Sequence, residues 1–151
     1  MSRLPVSLVT GLLIAAATLL PAASAAASAE DDAIDKLNAV RQANGLPNLR
    51  ASESLHRSST GYARRMIDND YFGHASRIAA SGAFGRVGET LELHPGSRAD
   101  PARTIDEWMN SPPHRAVLMS SAYRWVGMGI ARGKIGSKLV TVWVAHVGAR
   151  R

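Results

Sequence analysis

The chain has 151 residues, with 18 basic against 12 acidic side chains and a formal net charge of +6. It contains no cysteine, which excludes disulfides, a thiol nucleophile and lipid attachment through sulfur. The charges are scattered rather than gathered into a run. Such a surface attracts an anionic envelope polymer or lipid headgroups, and gives nucleic acid little to bind.

Residues 1–29 have the layout of a secretory signal peptide. Arg3 supplies a positive start, Val6 to Leu20 an apolar run, and Pro21 a break. Ala23-Ser24-Ala25 and Ala27-Ser28-Ala29 then offer small-x-small cleavage sites. The run is short for a membrane span, which needs about 20 apolar residues, and no later segment qualifies. Cleavage near Ala25 or Ala29 predicts a secreted protein, extracellular or held in the cell envelope. Residues 30–151 form a single domain with one core.

Asp32 is placed to cap a helix over 33–43, with Ile34, Leu37 and Val40 as its apolar stripe and Asn44-Gly45 as its stop. Leu46 to Leu49 reads as an extended connector. Ser52 caps a second helix to about Asp68, with Leu55, Ser59, Tyr62 and Met66 near one face. The glycine-rich stretch 77–92 carries no assignable period. Asp100-Pro101 opens a third helix with a cap and a first-turn proline, and Pro112-Pro113 forbids its continuation beyond Ser111. Trp125 to Ala131 and Leu139 to Val147 read as strands joined by a hairpin loop over 132–137. Helices followed by an antiparallel hairpin predict an α+β architecture with helices on both faces of a small sheet.

Three short motifs carry chemistry: Tyr71-Phe72-Gly73-His74, Gly88-Glu89-Thr90, and Glu107-Trp108-Met109-Asn110-Ser111-Pro112-Pro113-His114-Arg115. Convergence of His74, Glu89, Glu107 and His114 would build one polar cleft. Neutral imidazoles are good ligands for Zn²⁺ and its neighbours, so His74 and His114 are the candidate metal ligands. Two histidines leave coordination positions open to water, and Glu89 and Glu107 could orient the imidazoles or accept a proton from that water. The same four residues could equally form a structural hydrogen-bond network. No metalloprotease helix signature and no Gly-x-Ser-x-Gly elbow occurs. Of the remaining histidines, His56 reads as a partly exposed helix residue and His94, before Pro95-Gly96, as a loop residue. His146 lies on a strand, packed or aimed into the cleft as a third ligand.

In this order, behind an export signal, the motifs resemble the CAP superfamily of cysteine-rich secretory proteins, venom antigens and pathogenesis-related proteins. Leu37-Asn38-x-x-Arg41 and Val126-Gly127-Met128-Gly129-Ile130-Ala131 extend the resemblance to most of the mature chain. It implies a three-layer α-β-α sandwich with a small antiparallel sheet, and a surface cleft lined by the tetrad His74, Glu89, Glu107 and His114. It also implies one divalent metal, Zn²⁺ foremost, on the two histidines. The functional expectation is a binding or cell-envelope interaction module. The alternatives are a metal-dependent hydrolase of peptides or envelope polymers, with Glu89 and Glu107 as its catalytic groups, and a lipid or sterol carrier. The chain departs from the pattern in the short connection from His74 to Glu89, in Pro113 where glycine is usual, in Val117 for a common Asn, and in His146 for a frequent Gln.

Overall fold

A computed structural model describes residues 22–80, 82 and 84–151; the apolar run Val6 to Leu20 lies outside them. Four helices and four strands follow in the order α1 (Ala22–Ala43), β1 (Arg50–Ala51), α2 (Glu53–Asp68), β2 (Phe84–Pro95), α3 (Pro101–Asn110), α4 (Pro112–Leu118), β3 (Trp125–Ile135) and β4 (Lys138–Arg150). The sheet order is β1-β3-β4-β2, antiparallel except for the short β1–β3 pairing. Among the described residues no helix is long and apolar enough to cross a membrane.

Side-chain alternation divides the sheet into two covered faces. Val126, Met128, Trp143, Ala145 and Val147 meet Leu37 of α1, Ile105 and Trp108 of α3, and Leu118 of α4 in one core. Val140, Val142, Val144 and Leu91 meet Tyr62, Ala63 and Met66 of α2 in the other. The result is an α+β, three-layer α-β-α sandwich. α2 lies so close to β3 that a Cβ on Gly127 would stand 2.0 Å from the His56 amide nitrogen, and one on Gly129 2.2 Å from that of Thr60. The Gly-x-Gly strand is therefore a contact surface for a helix backbone.

The Leu37-Asn38-x-x-Arg41 signature is structural. Asn38 exchanges two hydrogen bonds with the backbone of Leu49, at 3.0 and 2.8 Å. Arg41, fully buried, donates to the carbonyls of Pro47 and Leu118, at 3.0 and 2.5 Å. These bonds tie α1 to the connector and to the end of α4.

Several sequence expectations are corrected. Asp32 is no cap, because α1 runs back to Ala22; the alanines of 22–29 are the strongest helix formers. The unassigned stretch runs into β2, paired with β4 from Phe84↔Arg150 to Pro95↔Val140. Pro112-Pro113 ends α3 but also opens α4, since proline at the first helical positions gives up only amides that have no helical partner. The hairpin turn is shorter than expected. Only Gly136-Ser137 lies between β3 and β4, and Gly136 has φ 59°.

Candidate functional site

β2 forms one edge of the sheet and builds the site. Its odd residues face α2: Glu89 lies opposite His146, and Leu91 opposite Val144. Its even residues face α3 and α4, with Glu92 opposite Trp143 and His94 opposite Thr141. One strand thus presents a carboxylate on each side of the sheet and an imidazole on the α3 side.

On the α2 side, the buried Glu89 carboxylate accepts three hydrogen bonds. His74 Nδ1 lies 2.8 Å from Oε1, the Ala75 amide donates to the same oxygen at 2.9 Å, and His146 Nε2 lies 2.8 Å from Oε2. Burial, the largest single influence, pushes this carboxyl up. The hydrogen bonds from His146, Ala75 and His74 together outweigh it and hold Glu89 below the ordinary carboxylate range. His74 is exposed, and Glu89 fixes its Nδ1. The loop bearing it is held by Tyr62, whose hydroxyl donates to the Gly73 carbonyl at 2.6 Å.

On the α3 side, Glu107 Oε2 lies 2.8 Å from His94 Nε2, and Arg103 Nε donates to Oε1 at 2.8 Å. Arg103 and Glu107 are one helical turn apart, as such pairs require. Burial raises Glu107, but Arg103 and His94 together lower it below the ordinary range. Glu92, His94 and Glu107 each bring a ligand atom to within 4.8 Å of the others. His114, on α4, is half-buried, and its Nδ1 has no hydrogen-bond partner among the described residues. Its imidazole is held below the ordinary range by burial first; a positive charge on His74 acts in the same direction, and Glu92 opposes both. His114 therefore feels both sides of the cleft.

The four residues expected to line the cleft have these bonding partners. Glu89 bonds His74, whereas Glu107 bonds His94 and Arg103 on the opposite face. His94, read from sequence as a loop residue, is a buried strand residue and the partner of Glu107. His146 is also buried and belongs to the Glu89 group. His56 is half-exposed on α2, with Nδ1 2.7 Å from the Met128 carbonyl and 3.5 Å from Glu30. The signal for His146 was its parity with Val140, Val142 and Val144. For His94 it was the two-residue spacing from Glu92 on one strand face.

The sequence profile of the cysteine-rich secretory protein (CAP) family matches residues 34–147. The chain belongs to the CAP family. Two curated relatives from Bacillus subtilis are the membrane protein YlbC, 25% identical over 77% of this chain and 35% of its own length, and YkwD, 29% identical over 74% and 46%. This CAP chain therefore spans less than half the length of either. Among solved structures it resembles an outer surface protein from Borrelia burgdorferi, with a TM-score of 0.66, 18% identity and coverage of 82% of this chain and 94% of that one. It also resembles an extracellular SCP-domain protein from Bacillus anthracis, with a TM-score of 0.65, 20% identity and coverage of 82% and 41%. At such identities the likeness is one of fold.

The donor set of this CAP domain suits a divalent ion. Two carboxylates and one imidazole are the hard-to-borderline ligands that Zn²⁺ and its neighbours accept. At about 2.1 Å per bond, two ligand atoms of one ion stand at most roughly 4.2 Å apart. Donors within 4.8 Å need only small side-chain rotations to close on it. Arg103 holds the other oxygen of Glu107, so an ion at Oε2 would replace the hydrogen that this oxygen shares with His94 Nε2.

Proposed function

We propose that the protein is an exported CAP-domain binding module of the cell envelope, with a divalent cation, Zn²⁺ foremost, held in its His/Glu cleft. The observation that supports this most directly is the convergence of Glu92, His94 and Glu107 on one point. His74 and His114 form the second candidate pair, one imidazole oriented by Glu89 and the other beside Glu92. A bound cation would add a Lewis acid with positions open to an anionic group of an envelope polymer or lipid. Export with cleavage near Ala25 or Ala29 fits the anchoring of Glu30, whose side chain already accepts a bond from the Ile130 amide at 2.9 Å. Intact-mass measurement of secreted protein tests the cleavage; a mature species that retains Val6 to Leu20 would refute it.

The metal reading is tested by thermal unfolding with and without Zn²⁺ at neutral pH. Metal at a hundred times its dissociation constant stabilises the fold by about 2.7 kcal/mol. Glu92→Gln, which disturbs little else, abolishes this gain if Glu92, His94 and Glu107 hold the ion. A combined His74→Ala and His114→Ala variant abolishes it if the histidine pair does. An unchanged melting temperature of the wild type across micromolar to millimolar Zn²⁺ would make both groups structural hydrogen-bond networks.

A further inference from the structure

A pocket of about 300 Å³ opens between α2 and the segment 75–79, and its lining includes Ala75 and His146, two of the residues that bond Glu89. Arg57 and Arg65 project into its wall from α2, on either side of Gly61, and Arg77 joins them from the loop. Residues 57, 61 and 65 are four apart, so they share one helix face. The lining contains no Asp or Glu. Arg57 has one exposed partner, Glu53 at 3.3 Å; Arg65 and Arg77 have no ion pair among the described residues. Three arginines line one concavity, and an oxyanion is the ligand that balances their charge, taken in the fork geometry arginine offers.

The floor of the pocket is polar and incompletely bonded. Ser58 and His146 line it; they are 8% and 1% exposed, and Ser58 Oγ and His146 Nδ1 have no hydrogen-bond partner within the described protein. Buried polar atoms are normally paired, so these two, closed off just behind the lining, are partners a ligand gains once the floor opens to it. His146 Nε2 faces the Glu89 carboxylate and must carry the hydrogen. With Nε2 committed to Glu89, Nδ1 is the ring atom left for a ligand hydroxyl. Ile78 and the alanines at 75 and 79 leave room for only a short apolar stretch. The volume sits at the lower end of small-molecule sites.

We propose that this pocket binds a small hydroxylated organic oxyanion, with its anionic group on Arg65 and Arg77 and its hydroxyl on Ser58 and His146. The site is separate from the cation cleft and stands whether or not that cleft holds metal. A phosphate monoester and a carboxylate share this chemistry, so the two probes are sn-glycerol 3-phosphate and glycerate. Each is titrated into the ¹⁵N-labelled protein and followed by amide shifts. The expected result, with at least one probe, is saturable movement of the Gly61, Ala75 and Ala79 amides. The tighter probe names the anionic group. Arg77→Ala weakens binding about tenfold or more, the scale of one lost charged hydrogen bond. Gly61→Leu fills the mouth without touching a charge, since a Cβ at Gly61 meets nothing within 4 Å, and it also weakens binding about tenfold. Lys138→Ala, at the remote hairpin, leaves affinity unchanged. The proposal is overturned if neither probe saturates by about 10 mM, or if Lys138→Ala costs as much as Arg77→Ala, which marks diffuse surface attraction.

Discussion

Replacing Glu89 by Gln tests whether one carboxylate organises the α2 side of the cleft. The wild-type group receives bonds from His74, Ala75 and His146 at 2.8, 2.9 and 2.8 Å. Gln keeps one oxygen, enough for the Ala75 amide. The same oxygen serves His74, so the NH₂ faces His146 Nε2, and the ring hydrogen has to move to Nδ1, which is buried without a partner. Losing one charge-assisted bond costs about 1.5–3 kcal/mol, and stranding a buried donor about 1–3. The NH₂ still donates to His146 Nε2, so the two costs do not add in full; the expected loss is about 2–3 kcal/mol, or roughly 8–12 °C in melting temperature for a domain of this size. The sign with pH follows from the depressed carboxyl. The stabilisation is present above the ordinary value of 4.5 and is lost as pH falls through the lower folded value. The gap between wild type and variant should therefore be widest near neutral pH and narrow below about pH 4. Urea unfolding at pH 7 and pH 3.5, followed by tryptophan fluorescence, measures it. A gap below about 0.5 kcal/mol at pH 7, or one equally large at both pH values, would refute the reasoning.

Gly129→Ala drives a Cβ to within 2.4 Å of the Ser59 carbonyl carbon. It should cost about 3 kcal/mol, the upper end of overpacking, because helix backbone must move; a wild-type urea midpoint would contradict the helix–strand contact. Gly61→Ala meets nothing within 4 Å and should stabilise α2 by roughly 1 kcal/mol, read in the same assay. Glu30 behaves oppositely to Glu89. Burial raises its carboxyl and outweighs the charge of His56 and the Ile130 amide, so its contribution is full below its unfolded value and is lost as pH rises through the folded one. Glu30→Gln should accordingly gain on the wild type between pH 4 and pH 8, and a constant difference in unfolding free energy would contradict this.

The elements that local chemistry determines were legible in the sequence. Ser52 caps α2 by accepting from the Leu55 amide, Asp100 caps α3 by accepting from the Arg103 amide, and the β-branched run of β4 is a strand. β2 was illegible because its character is set by its neighbours. It has few β-branched residues, most of it is only half-buried, and Gly85 and Gly88 sit where other groups approach: Arg151 at the first, Tyr123 and Val117 at the second. That loss carried over to the site. With β2 read as featureless, His94 became a loop residue and the partner of Glu107 could not be found. Glu89 was recognisable from its motif, but its link to His146 depends on a strand register that no local pattern encodes.

An edge strand explains why the cleft divides as it does. A central strand would bury both faces fully, and ionisable groups there would have to be paired or neutral. β2 pairs with β4 along one side only, so side chains from α3, α4 and the 71–75 loop can close around its free side. Alternation then sends Glu89 one way, to His146 and His74, and sends Glu92 and His94 the other, to Glu107. The two groups share a strand without sharing a hydrogen bond. The His114 imidazole responds to charge on both Glu92 and His74. A charged ligand in the cleft would therefore shift its protonation. The NMR titration of that imidazole, with and without Zn²⁺, reports whether the two sides act as one site: a Glu92→Gln variant should lower its midpoint further, and no change would uncouple His114 from the α3 side.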